Sequence, residues 1–194
     1  MPPKFSSFDL WESKADLIAV TTNGTIKQGG LVMGKGAAGE ANDRASDLGL
    51  DLPRSVAFGL RGDILGDSIL YGFYPFHAPR FNYWLGLFQT KLDYRQPSTL
   101  ALIGYSVMRL KFFLEYTKQH TGYTVALNFP GIGAGGLDVA SVFPLLLDLP
   151  GSVTIHFLPN IIHPGEVASL IRRYIHPRNV RRYLLTDHTE GVGE

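Results

Sequence analysis

The chain has 194 residues, 45% of them apolar and 12% aromatic, with a formal net charge of +1. That is enough apolar material for one packed domain, and it excludes a disordered chain; the balanced charge gives no reason to expect a general nucleic-acid binder. No cysteine is present, which excludes disulfides, iron–sulfur clusters and cysteine-based zinc sites.

The opening residues, MPPKFSSFDLWESK, lack a basic stretch followed by an apolar run, so no signal peptide is expected. No apolar run is long enough to cross a bilayer. A cytoplasmic protein with no membrane partner is the expectation. Residues 16–22, DLIAVTT, are short, apolar and β-branched at their end, which predicts a buried strand. A glycine-rich run follows, NGTIKQGGLVMGKGAAG, and residues 37–48 predict a helix that opens on small residues. Strands are expected at 55–60 and 68–74, and again at 80–90, where Phe81, Tyr83, Leu85 and Leu87 alternate. Residues 97–118 give the clearest helix: Leu100, Ile103, Val107, Leu110 and Leu114 form one apolar stripe, and Pro97 suits its first turn. Residues 123–129 predict a strand, followed by PGIGAGG and a short helix near 138–148. A last strand at 152–158 and a last helix at 164–175, opened by Pro164, complete the pattern. The chain from His176 is polar and expected to be loosely held. Arg172, Arg173, Arg178, Arg181 and Arg182 crowd this region. They read as a solvated helix face plus tail or, alternatively, as a phosphate-backbone contact.

Alternating strands and helices predict a parallel or mixed sheet between helical layers, with ligand sites at the carboxyl ends of the strands. Both glycine-rich loops follow strands and precede helices. Backbone N–H groups in such loops, with helix N-termini behind them, suit a diphosphate. Two better-known loops are poor matches. GGLVMGK fits seven positions of a Walker A loop, but Gly36 stands where a magnesium-binding Ser or Thr is required. Gly131, Gly133 and Gly136 fit a dinucleotide fingerprint, but the next strand ends HFLPN without the ribose-binding acid. The six histidines show no metal-binding spacing, so neither a metal nor a cofactor is expected.

The run ADLIAVTTNG…GLVMGKGAAG resembles the macrodomain signature. FQTKLDYRQPSTLALI and LNFPGIGAGGLD are similar to later motifs of one macrodomain branch. That branch holds antitoxin macrodomains that remove ADP-ribose from DNA bases, and ADP-ribose-1''-phosphate phosphatases. The resemblance spans roughly residues 9–160. It implies a three-layer α/β/α macrodomain-like fold with a mixed central sheet over residues 1–176; an inserted or lengthened hairpin arm near 61–80 departs from the branch, and residues 177–194 read as a polar tail. The sequence departs from the branch at Gln89, where Pro is usual, and at Asp93 and Tyr94, where His and Trp are usual.

By that resemblance, Asp9 accepts the adenine amino group; its alternative is an ordinary turn residue. Asn23 faces the distal ribose or caps the strand end. Gly30, Val32, Met33, Gly34, Lys35 and Gly36 wrap the diphosphate and distal ribose together with Gly131, Ile132, Gly133, Ala134, Gly135, Gly136 and Leu137. Phe157 stacks on adenine or is core. Lys91 matches a lysine assigned to the ribosyl carbon, against the alternative of a solvated charge. Asp138 orients a ribose hydroxyl or water, or caps a helix; Lys91, Asn23 and Asp138 are the catalytic candidates. The expected partner is ADP-ribose or an ADP-ribosylated macromolecule, with single-stranded DNA a candidate carrier. Two functions stay open: hydrolysis of an ADP-ribose derivative, and non-catalytic binding of ADP-ribose or a nucleotide signal.

Overall fold

The computed structural model describes residues 1–77, 80–118, 122–175, 178 and 180–185. In chain order its elements are β1 (Lys4–Ser6), β2 (Leu17–Asn23), β3 (Ile26–Lys27), β4 (Gly30–Leu31), α1 (Gly36–Asp47), α2 (Leu52–Gly59), β5 (Asp63–Leu65), β6 (Ser68–Leu70), β7 (Phe73–Phe76) and β8 (Trp84–Lys91). Then come α3 (Leu100–Lys118), β9 (Val125–Asn128), α4 (Val139–Leu146), β10 (Val153–His156), α5 (Pro164–Tyr174), α6 (Val180–Tyr183) and β11 (Leu184–Leu185). Short 3-10 turns lie at Leu10–Glu12 and Gly133–Gly135.

The central strand β2 is apolar on both faces, as a strand covered on both sides must be. Leu17 and Ala19 pack in one core with Ile103 of α3, Phe143 of α4 and Ile171 of α5. Ile18 and Val20 pack in a second core with Ala41 of α1 and Val56 of α2. The result is helix, sheet, helix in three layers. The main sheet runs β11-β1-β10-β9-β2-β8-β7. All its neighbouring pairs are parallel except β7 against β8. The mixed α/β/α sheet is therefore present as expected.

Residues 55–60 are not a strand. Residues 55–59 belong to α2 and Leu60 is its C-cap; Asp51 caps the other end by accepting from Arg54 N, with Pro53 in the first turn. Val56, Ala57 and Phe58 have strand-like propensity, but the Asp-Leu-Pro start and the four-residue spacing of Leu52, Val56 and Leu60 decide for helix. Within the stretch expected as an arm, β5 and β6 form a hairpin, tied to the segment after β2 by Ile26 N to Asp67 O and Ile69 N to Gly24 O. Its continuation, β7, joins the main sheet. At the other edge, β11 pairs with β1 through Phe5–Leu184 and Ser6–Leu185. Residues 180–185 are thus tied into the sheet, whereas a loosely held tail was expected there; residues 186–194 lie outside the described residues.

Gln89, the departure from the branch pattern, is fully buried. Its side-chain oxygen accepts from Tyr71 N (2.9 Å) and Gly72 N (3.0 Å), and its amide donates to Ile69 O (2.9 Å) and Lys91 O (3.2 Å). One side chain thus satisfies the backbone where β6 hands over to β7. Beside it, the buried Tyr71 hydroxyl donates to Asn23 O and lies 2.5 Å from Thr22 Oγ1. Burial pushes the Tyr71 phenol well above its ordinary value, so it stays a neutral donor. Gln89→Leu strips partners from two buried N–H groups and a carbonyl, each costing about 1–3 kcal/mol. A loss of about 3 kcal/mol or more is expected, read as a lower urea midpoint.

His156, at the end of β10, is buried with Nδ1 3.1 Å from Phe8 O, and so holds the segment leaving β1. Burial lowers its pKa, so the folded ring is neutral where the unfolded ring, with an ordinary value of 6.5, takes a proton. Its contribution to stability is therefore level above about pH 6.5 and falls as pH drops below that. Melting temperature should decline from neutral pH towards about pH 5, with a shallower slope in His156→Gln.

Candidate functional site

The order of the sheet makes a crevice. The chain runs from β2 to β8 on one side of it, then returns to β9 on the other. This is a switch point, where loops from adjacent strands part in opposite directions. β2 and β9 stay paired only through Ala19–Leu127. Beyond that they separate, and the Asn128 side chain bridges the gap: Oδ1 accepts from Thr21 N (2.7 Å) and Nδ2 donates to Thr21 Oγ1 (2.9 Å). The cleft above holds about 660 Å³ and is lined by the segments that follow β1, β2, β8, β9 and β10.

The first glycine-rich run divides in two. Gln28 (φ 51°) and Gly29 (φ 77°) form the tight turn of the β3/β4 hairpin, where Lys27 pairs with Gly30. This geometry is a hairpin, not a Walker A loop. Gly30 is buried in β4 against Pro53, and Met33 is buried in the core beside α1, so neither lines the cleft. From Val32 the chain turns to the cleft, where Val32, Gly34, Lys35 and Gly36 lie on its wall. No side chain caps α1 at Lys35, and no acid sits in its first turn. The first N–H groups of α1 and the positive end of its dipole thus have no side-chain acceptor, an arrangement that suits an anion.

The second run behaves differently. Gly131, Ile132, Gly133, Ala134 and Gly135 line the cleft; Gly136 and Leu137 do not. Asp138 caps α4, accepting from Ser141 N (2.8 Å) and Ser141 Oγ (2.7 Å), and these bonds hold its carboxyl below the usual range. Asp138 is outside the cleft lining, and its acceptors are committed to the helix.

Asn23 and Lys91 are register partners at an irregularity between β2 and β8. Such irregularities re-aim side chains at strand ends. Asn23 donates to Val32 O (2.7 Å) and accepts from Thr25 N (2.9 Å), so it shapes the first loop while lining the cleft. Lys91 Nζ donates to Ala134 O (2.6 Å), linking β8 to the second loop. Asp9 lines the cleft while capping the 3-10 turn through Trp11 N (3.0 Å). Phe157 lines it too but is buried in the core, exposing little of its ring.

The fold adds residues that sequence reasoning missed. Trp11 donates from its indole to Glu40 (2.5 Å), joining the 3-10 turn to α1, and Arg44 lies over its ring. Tyr94 and Arg95 stand on the wall beside Lys91. Asp93 fixes Arg95 through two bonds, which bring the Asp93 carboxyl down to about 2. Ser98 is buried on the wall, and its hydroxyl has no hydrogen-bond partner among the described residues. A buried hydroxyl without a partner is costly unless a ligand or water meets it. No metal-binding cluster occurs among the described residues, and among the described residues no helix is long and apolar enough to cross a membrane.

No protein-family model matches the chain, and no curated protein matches it. Solved structures do. The macrodomain of Thermus aquaticus DarG has a TM-score of 0.58 at 20% identity, covering 80% of this chain and 96% of that one. The macrodomain of Mycobacterium tuberculosis DarG has a TM-score of 0.56 at 22% identity, covering 81% and 99%. Thermosipho africanus DarTG, solved in complex with ADP-ribose, has a TM-score of 0.60 at 21% identity, with 81% of this chain aligned to 42% of that one. With the switch-point cleft and the sheet order, these likenesses establish that the chain has the macrodomain fold.

Proposed function

We propose that the protein binds ADP-ribose, or a group carrying it, in this cleft and hydrolyses an ADP-ribose derivative there. The carrying observation is the bare N-terminus of α1 opposite the Gly131–Gly135 loop, two backbone-lined walls around one cavity. Such walls suit a diphosphate. Asp9 takes the adenine amino group, and Ser98 and Asn23 meet ribose hydroxyls. Lys91 acts at the distal ribose. Its ammonium stabilises the charge that departs with the released group, or its free amine attacks the ring-opened sugar. The candidate substrates are ADP-ribosylated DNA or protein and ADP-ribose-1''-phosphate, with single-stranded DNA as one carrier. The solved complex of a similar fold with ADP-ribose supports the ligand class.

One observation favours a second reading, a binding module without turnover. The Lys91 ammonium is already engaged with Ala134 O and can serve as a strut for the second loop.

Titration calorimetry should show tighter binding of ADP-ribose than of AMP or NAD; equal or better binding of NAD sinks the proposal. Gly34→Glu is the cleaner loop variant, because a side chain there meets open space, whereas Gly133 has φ 64° and strains any replacement. Gly34→Glu should keep the circular dichroism spectrum and lose ADP-ribose binding, since it sets a carboxylate beside the phosphates. Normal binding would make that loop a plain turn.

Lys91→Ala separates the two readings. An enzyme should lose at least about a hundredfold in turnover while binding survives. The assays are release of ADP-ribose from modified single-stranded DNA and from modified protein, and phosphate release from ADP-ribose-1''-phosphate. A wild type inert on all three that still binds ADP-ribose leaves the binding module.

A further inference from the structure

His156 has one ring nitrogen that the fold uses and one that it leaves over. Val153 and Ile155 of β10 lie in the core with α3, α4 and α5, so the alternation of a strand turns His156 to the face that carries α1. There it stands level with Asn128 on β9 and Ser6 on β1. The ring lines the cleft and is otherwise buried, with 7% of its surface exposed. Nδ1 lies 3.1 Å from Phe8 O. A carbonyl oxygen only accepts, so Nδ1 carries the hydrogen. Burial keeps the ring neutral at neutral pH, and in a neutral imidazole the second nitrogen is then a bare acceptor. That nitrogen, Nε2, has no partner among the described residues.

Asp9 follows Phe8 and is close enough for its charge to act on the ring. One of its oxygens already accepts from Trp11 N. This end of the cleft therefore offers two side-chain acceptors, the Asp9 carboxylate and His156 Nε2. An exocyclic amino group is the complement of such a pair. It carries two hydrogens, and burying it with one of them unpaired is costly. A keto oxygen in the same place would meet two acceptors and no donor. We propose that His156 is a second base-reading residue, its Nε2 accepting from the adenine amino group beside Asp9, so that the cleft selects an amino purine over a keto purine. The proposal rests on ADP-ribose binding in this cleft. Through Nδ1 the same ring holds the carbonyl next to Asp9, so one side chain both places the first acceptor and supplies the second.

Titration calorimetry with ADP-ribose and its hypoxanthine counterpart, inosine diphosphate ribose, tests this. Two variants divide the ring's roles. In His156→Asn the amide nitrogen falls where Nδ1 lies and can hold Phe8 O, but nothing reaches the place of Nε2. In His156→Gln the amide oxygen reaches the place of Nε2, and the hold on Phe8 is given up. Wild type should bind ADP-ribose the more tightly. His156→Asn should lose at least about tenfold of that preference, whereas His156→Gln should keep most of it at a lower melting temperature. A histidine that only holds Phe8 predicts the reverse order. On wild type, nitrogen NMR should show Nε2 unprotonated and moved further by saturating ADP-ribose than by the hypoxanthine counterpart, a readout that needs no variant to fold. A preference that survives His156→Asn, or an Nε2 signal indifferent to the base, overturns the proposal and leaves ADP-ribose binding in place. A wild type that binds neither nucleotide overturns both.

Discussion

A parallel sheet with every strand paired to its last residue leaves no room between the loops that follow. This protein resolves the conflict at one point, the parting of β2 from β9 beyond Ala19 and Leu127. Parting leaves backbone groups without a ladder partner, and the Asn128 side chain meets one of them, Thr21 N, while its amide also donates to the Thr21 hydroxyl. At this parting a side chain stands in for the ladder. It lets the segment after β2 and the segment after β9 rise on opposite walls, with an opening between them.

The same economy recurs on the other side of β2. The chain between β6 and β8 changes direction under cover, where water cannot satisfy it. Gln89 supplies all the bonds its amide can make, and Tyr71 ties that turn to the last residues of β2. A proline at position 89 would offer none of these side-chain bonds. The β5/β6 arm and the Gln89 amide therefore form one unit: Gly24 packs directly against Ile69 O and Gln89 Nε2 and leaves no space for a larger residue.

The long elements were legible because their signal is local. The apolar run of β2 and the stripe of α3 fixed both in the sequence, and β9, β10 and α5 followed. The strands at one end of the sheet were not legible: β1 and β11 are only a few residues long and owe their existence to pairing with β10 and with each other. At α2, three strand-loving residues obscured an ordinary helix start. In the site, the turn from Gly131 to Gly135 and the stretch from Val32 to Gly36 could be read from glycine and position. Gly30, Met33, Gly136 and Leu137 could not be sorted from their neighbours, because loop composition does not say which way the chain faces. Trp11 with Glu40, and Ser98 with the second loop, meet only through the fold.

The two helices that open on the cleft side have opposite endings. α4 begins with its own carboxylate already in place on Ser141, whereas α1 begins bare after Lys35. A capping side chain there would stabilise the helix by about 1 kcal/mol. Lys35 supplies no such cap, and under the proposed function a bound phosphate would take its place. Saturating ligand should therefore tighten α1 itself, and a thermostabilising screen of the empty protein would favour acids and short hydroxyls at position 35. Such variants would gain robustness by filling the proposed anion's place from within, so selection for endurance alone would work against the proposed ligand.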